Sequence, residues 1–390
     1  MGSTFKRKRK RSDGSAYEVW VCEDEWEGRR KTITGKSEKE VKAKMKSWIK
    51  EMAEYGDKLS KTKESFGTYF SKYLFDVVLN EVASSTFTRY AGINDKYIRN
   101  SSIATMKPDR IAYEDMQLYF NNLRELSQSS LNKIKSLLNG CFIYAKANKV
   151  IRENPLDNFK MPKSKKPNKE IRIMTLDEQS RYIKALSESR LKTALLLTMF
   201  TGIRCGELIA LTWNDVDFKS GMLSINKSLK RTREYNKDGK YVKKDIIKST
   251  KTDKVRSVPI PEFILNDLKF MDHNSDFMFV TKNGTHYSAD NIRREHIRVC
   301  SKAKIGKPTY TTYKQHGKDK VVEEYLDVNF HALRHTYATR LYSYGEDAKI
   351  IQALLGHSKL STTMDIYTHV FDEDKKKVTS KLSKIYNDLS

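Results

Sequence analysis

Apolar and polar residues alternate with period two across 16–34. The two runs YEVWVCEDEW and KTITGK flank an EGRR turn, which predicts a β-hairpin. The spacing then becomes helical in SEKEVKAKMKSWIKEMAEYG. Ser37 and Glu40 form a capping box, and Val41, Met45, Trp48, Ile49 and Met52 fall on one face. Residues 1–56 are therefore expected to form a small three-stranded sheet plus a helix, opened by a polar, basic tail, MGSTFKRKRKRS (1–12). Four helical segments follow at 66–82, 86–99, 113–124 and 129–149. The first carries Phe66, Tyr69, Phe70, Tyr73, Leu74 and Val77 at helical spacing; the last carries Leu131, Ile134, Leu137, Leu138, Phe142 and Ala145. Such stripes suit the seam of a helical bundle over 62–155 better than a platform for stacking bases.

The stretch 154–172 breaks that pattern with three prolines and a cluster of lysines. Proline cannot continue a helix and the lysines repel one another, so 156–170 reads as an extended basic linker. A third domain, 171–390, opens with Thr175 and Glu178 as another capping box. RLKTALLLTMF is apolar on every side, hence a buried helix, and it stops at Gly202. Strands are expected at 222–228 and 254–260, with an Asp238-Gly239 hairpin tip between them. PEFILNDLKFM reads as a helix, FMFV as a strand, 290–303 as a basic helix, and 309–328 as a β-ribbon turning at Gly317. A helix carrying HALRHTYAT follows. Gly356 then stops a helix immediately before His357, and Tyr367 lies one short helix further on. Near the end, Val378, Leu382, Ile385 and Leu389 share one face of a helix at 378–389. The predicted class is α+β and multidomain: sheet plus helix, helical bundle, then a mainly helical domain with a small antiparallel sheet.

Charge narrows the partners. Lys and Arg number 74 against 49 Asp and Glu, a formal net charge of +25, which calls for a polyanion, nucleic acid before membrane surface. The longest apolar run, ALLLTMF, is too short to span a bilayer, and no signal-peptide core follows the basic start. A soluble protein of the bacterial cytoplasm, nucleoid-associated when bound to DNA, is expected. Cys22, Cys141, Cys205 and Cys300 form no CxxC pair and support neither disulfides nor structural zinc. The first domain could read a DNA groove through its strands or serve as a protein-interaction module. KRKRKR resembles a nuclear-localisation run, and equally a DNA-contacting arm or a solvated tail.

Arg204 follows the buried helix stop, and Arg334 lies one helical turn after His331. Two arginines can brace the non-bridging oxygens of a phosphodiester with fixed, bidentate hydrogen bonds. Lys251, just before a strand, can protonate a leaving 5′-oxygen. Tyr367 is the candidate nucleophile. A tyrosine hydroxyl of pKa about 10 needs cationic neighbours and a proton acceptor, roles His331 and His357 can fill. Tyr337, Tyr342 and Tyr344 compete, but inside the His331 helix a core or surface role is simpler. His331 and His335 stand at zinc-ligand spacing, yet the glutamate of HExxH is absent and Arg334 would repel the cation. No metal and no other cofactor is expected.

The motifs TGIRCGEL, STKTDKVRSVPIP, HALRHTYAT, LLGHS and DIYTHV, in that order, resemble those of the tyrosine recombinases, or phage-type integrases. The resemblance implies that Arg204, Lys251, His331, Arg334 and His357 assist and that Tyr367 attacks. The products would be a 3′-phosphotyrosyl bond and a free 5′-hydroxyl, and a second round would resolve a Holliday junction. The ester conserves bond energy, so neither ATP nor metal is needed. The resemblance also implies an arm-type DNA-binding domain over 1–56, a core-binding domain over 62–155 and a catalytic domain over 171–390. A mobile-element integrase acting in DNA integration and transposition is the expected function. Its expected partners are double-stranded DNA at core and arm sites, a homo-tetramer formed by exchange of the C-terminal helix, an excision factor and a DNA-bending host protein. The alternatives are a type IB topoisomerase-like enzyme and a catalytically silent DNA-binding regulator. The segments 230–248 and 309–328 fall outside the minimal pattern, and neither has an assigned role.

Overall fold

The structure is a computed structural model that describes residues 2–10, 15–26, 29–55, 63–167, 172–249, 255–315 and 318–367. The chain divides into two compact units. One comprises Met1–Asn168 with Arg233–Val242, and the other Lys169–Thr232 with Lys243–Ser390.

The first unit opens with an antiparallel sheet in the order β1 (Ser3–Lys10), β2 (Ala16–Trp26), β3 (Arg29–Gly35). The segment expected as a basic tail is thus the edge strand β1. Its run of like charges hides the period of two. The partners lie across the ladder: Lys6 pairs opposite Trp20, with Nζ 5.4 Å from the ring and 3.5 Å from Glu18, and Arg7 bonds Glu23 at 3.3 Å. Helix α1 (Glu38–Tyr55) covers one face, burying Val41 and Met45 against Cys22.

The helical part contains α2 (Phe66–Lys72), α3 (Ser84–Ile93), α4 (Tyr113–Asn122) and α5 (Gln128–Ala147). Wider π-helical turns continue α2 through Tyr73–Val78 and α3 through Asn94–Ile98. Val78, rather than the expected Val77, therefore joins Leu74 in the core. The rest of the predicted seam holds: Phe66, Phe70, Leu131, Ile134, Leu138 and Phe142 are buried, and Phe66 stacks on Phe142 at 5.0 Å. The chain leaving α5 stays on this core through buried Leu156 and Phe159, and Ser164 donates to the Leu126 carbonyl. The segment Arg233–Val242 belongs to the same unit. Its Tyr235 ring meets Phe87 edge-on at 5.2 Å, and Thr88 donates to the Arg233 carbonyl at 3.1 Å.

The second unit begins with α6 (Leu176–Ala185), whose Thr175–Glu178 capping box forms as expected. Helix α7 (Lys192–Thr201) is the predicted all-round apolar helix, with Ala194–Leu197 and Met199 buried, and it ends at Gly202 with φ +64°. After the single turn α8 (Cys205–Leu208) comes a sheet in the order β4 (Val216–Asp217), β5 (Met222–Ile225), β8 (Arg256–Pro259). Strands β6 (Lys227–Tyr235) and β7 (Tyr241–Ser249) pair separately. Helices α9 (Glu262–Lys269) and α10 (Ala289–Lys302) cover the core, and β9 (Pro308–Gln315) with β10 (Lys318–Tyr325) makes the expected ribbon. FMFV forms no strand; Phe277 and Val280 make only isolated bridges, to Thr212 and His286. Helices α11 (His331–Ser343), α12 (Ala348–Leu355) and α13 (Leu360–Tyr367) follow. The C-terminal helix expected at 378–389 lies outside the described residues, as do Lys251 and Gly317. Among the described residues no helix is long and apolar enough to cross a membrane.

Phe142→Ala removes a fully buried ring from the α2–α5 seam. It is expected to cost the helical part about 3–5 kcal/mol, read as faster hydrogen exchange across residues 66–147; an unchanged exchange profile rejects this packing account.

Candidate active site

Helix α12 organises the site. The last carbonyls of a helix have no partners within it, and cations are favoured at that end. Three arginines occupy three successive carbonyls here. Arg256 donates Nε–H to Leu354 O at 3.0 Å, Arg334 donates Nη2–H to Leu355 O, and Arg204 donates Nη2–H to Gly356 O at 3.1 Å. Gln352 closes the turn by donating to the His357 carbonyl at 3.0 Å. The turn needs a glycine: Gly356 has φ +63°, and a Cβ there would lie 3.0 Å from Arg256 Cδ.

Each arginine arrives from an element whose end faces this turn. Arg204 is the N-cap of α8, delivered by the left-handed stop at Gly202. A Cβ on Gly202 would stand 2.6 Å from the Tyr337 ring and 2.9 Å from Leu355, so close approach of α7, α11 and α12 also requires glycine. Arg334 is 1% exposed and donates Nη1–H to Gly202 O at 2.6 Å, joining the ends of α7 and α12. Its Nε has no partner. The guanidinium thus bonds backbone carbonyls of its own chain. Burial, then the charges of Arg204 and Arg256, lower its pKa to about 9.

Glu207 was not among the sequence candidates. Its carboxylate, 3% exposed, accepts from the Arg204 backbone N–H at 2.9 Å and Nη1 at 2.8 Å, and from Arg256 Nη1 and Nη2 at 3.1 and 2.6 Å. Burial alone would raise its pKa, but the hydrogen bond and charge of Arg256, followed by Arg204, bring it down to about 2. Its signal was present in the sequence as a carboxylate at the third helical position after Arg204. Arg256 had a signal too. It shares one face of its strand with buried Val258 and Ile260.

The histidines gather on the same turn. His331 starts α11, and its ring meets His335 edge-on at 4.7 Å. His357 Nδ1 lies 2.9 Å from Oγ1 of Thr363, a fully buried residue of α13. Burial first, then arginine charges, lowers His331 to about 4 and His357 to about 3, and burial, then His331 and Arg334, lowers His335 to about 4. All three are therefore neutral near pH 7. Tyr337 is buried with its pKa raised to about 12, chiefly by burial, while Tyr344 is exposed. Tyr367 is the last residue of α13. The structure thus brings together Arg204, Arg334, His331 and His357, adds Glu207, Arg256 and Thr363, and leaves Lys251 undescribed. Among the described residues no group of three or more His, Cys, Asp or Glu side chains could hold a metal ion.

The folded pKa of Glu207 lies below its ordinary value of 4.5, so its ionised form stabilises the fold above that value. The contribution is lost as pH falls from 4.5 toward about 2. Glu207→Gln should therefore lower stability at neutral pH, by an amount on the order of 3 kcal/mol, and flatten acid unfolding in that window. A variant whose acid-unfolding curve matches wild type counts against the network.

Residues 170–374 match the family model described as the phage integrase family. A tyrosine recombinase XerC-like protein of Caldanaerobacter subterraneus subsp. tengcongensis is 30% identical over 381 residues, 92% of each chain. The Tn1549 transposon integrase in complex with transposon right end DNA shares the fold at TM-score 0.60 and 20% identity, over 80% of this chain and 99% of that one. A lambda integrase tetramer bound to a Holliday junction shares it at TM-score 0.56 and 17% identity, over 90% and 95%. The topoisomerase-like and catalytically silent alternatives are not favoured by these likenesses. With its arginines and histidines gathered on one helix end, the chain belongs to the phage integrase family and is a tyrosine recombinase, an enzyme of site-specific DNA recombination.

Proposed function

We propose that this chain is the integrase of a mobile element and that Tyr367 is its nucleophile, with Arg204, Lys251, His331, Arg334 and His357 assisting. The observation that carries the reading is the gathering of three guanidinium groups and His357 on the end of α12, joined through Thr363 to the helix that ends in Tyr367. Tyr367 Oη gives its proton to neutral His331 and attacks a DNA phosphate, forming a 3′-phosphotyrosyl bond as the 5′-oxygen leaves. That oxygen takes a proton from Lys251. The 5′-hydroxyl of a partner strand then gives its proton to Lys251 and attacks the phosphotyrosyl ester, and tyrosine leaves with its proton returned from His331. Arg204 balances charge on the non-bridging oxygens. With the Thr363 hydroxyl donating to Nδ1, neutral His357 carries its proton on Nε2 and can donate it to phosphate.

In this reading residues 1–56 bind arm sites, 62–155 bind core sites, 156–170 link them to the catalytic domain 171–390, and the helix at 378–389 crosses to a neighbour in a tetramer. An excision factor and a DNA-bending host protein set direction and geometry. The protein works in the bacterial cytoplasm, on nucleoid DNA. The lambda integrase tetramer on a Holliday junction is the likeness that supports the assembly.

Tyr367→Phe should still bind DNA but form no covalent complex with a nicked suicide duplex on a denaturing gel. A covalent band from that variant overturns the assignment. Binding should also weaken with salt, about a thousandfold between roughly 50 and 200 mM, in mobility-shift titrations; salt-insensitive affinity speaks against phosphate-dominated contact.

A further inference from the structure

Arg256 lies outside the six residues to which the reaction is assigned, and its bonds are internal. Its side chain is 9% exposed, against 39% for Arg204. Both terminal nitrogens go to Glu207 and Nε goes to Leu354 O. Each of its three nitrogens thus bonds the protein, and its burial keeps it from direct contact with DNA. What it supplies is charge beside a carboxylate that also holds Arg204. One guanidinium on Glu207 makes a neutral pair, whereas two leave one positive charge over, and Arg204 is the member that reaches solvent. Of the other cations near Glu207, Arg334 is committed to Gly202 O and Leu355 O, and His331 is neutral near pH 7. Among the described residues, Arg204 and Arg256 are the cations that bond this carboxylate.

We propose that Arg256 is a positioning residue of strand transfer: it neutralises Glu207 so that the charge of Arg204 remains available to the DNA phosphate, and it fixes the turn that carries His357 through the Leu354 carbonyl. The proposal rests on the roles given above to Arg204, His357 and Tyr367. A guanidinium suits the task because it meets both carboxylate oxygens in one plane and still has a third edge for the carbonyl. The Arg256 stem also lies against Gly356, so the same side chain supports the turn by packing.

The test uses the full chain and a nicked duplex whose sequence the wild-type chain selects, by covalent trapping, from a randomised pool. Single-turnover formation of the covalent complex is timed at saturating protein, and affinity for the same duplex is measured by mobility shift. Arg256→Met should slow cleavage about 100-fold at unchanged affinity. The double variant E207Q/R256M removes one charge of each sign and should recover at least about tenfold of that loss. Misfolding would lower the amplitude of the covalent complex and the affinity, whereas a positioning role moves the rate constant at saturation and leaves both unchanged. Arg256→Met at the wild-type rate, or a double variant no faster than Arg256→Met, overturns the proposal. Should Arg256→Met fail to bind DNA, Arg256→Lys decides. A loss of about tenfold in rate at unchanged affinity supports the role, and a wild-type rate at saturation overturns it. A wild-type chain that traps no DNA, or a Tyr367→Phe chain that does, fails the nucleophile assignment instead, and does so before Arg256 is touched.

Discussion

Three like-charged guanidinium groups cannot be held together without compensation, and the C-terminal end of α12 provides it. Leu354, Leu355 and Gly356 each give a carbonyl oxygen to one arginine, and Glu207 lies beneath two of them. The helix needs partners for its last carbonyls and the arginines need acceptors, so each solves the other's problem. The remaining geometry follows. Gly202 lets α7 end against Tyr337 and Leu355, and Gly356 lets the chain turn over Arg256 into His357.

This arrangement explains how the arginines divide their work. Arg334, one of the two expected to brace the phosphate, is buried between two backbone carbonyls and joins the ends of α7 and α12. Arg204 is the half-exposed member, and its bond to Gly356 O is the longest of its three side-chain and backbone contacts here. Electropositive character is therefore graded across the site, from a buried arginine that holds helices together to an exposed one that can meet an anion. The depressed pKa values of His331 and His357 accord with this: burial first, then the charges of Arg334 and Arg204, keeps the nearby imidazoles neutral.

Much of this was legible in the chain. Gly202 and Gly356 announced two helix stops, Ser37 and Thr175 announced two caps, and the aromatic seam of the helical part followed from spacing alone. What escaped had physical reasons. The strand Ser3–Lys10 was masked because its stabilising partners, Trp20, Glu18 and Glu23, lie on another strand. The π-helical turn at Tyr73–Val78 moved the core position from Val77 to Val78, and no residue type marks such a turn. Glu207 and Arg256 do not stand out in the sequence because each serves the other and Arg204, not the DNA. Alternation with Val258 and Ile260 already placed Arg256 on an inward face.

The bond between His357 and Thr363 links two parts of the chain that the proposed chemistry needs at one moment. Thr363 belongs to α13, and Tyr367 follows it by one turn of the same helix. A rotation or withdrawal of α13 would carry off the terminal residue and strip the imidazole of its partner together. On the proposed assignment of Tyr367, the helix would act as a safety interlock, with the catalyst armed only while its attacking residue is in the breech.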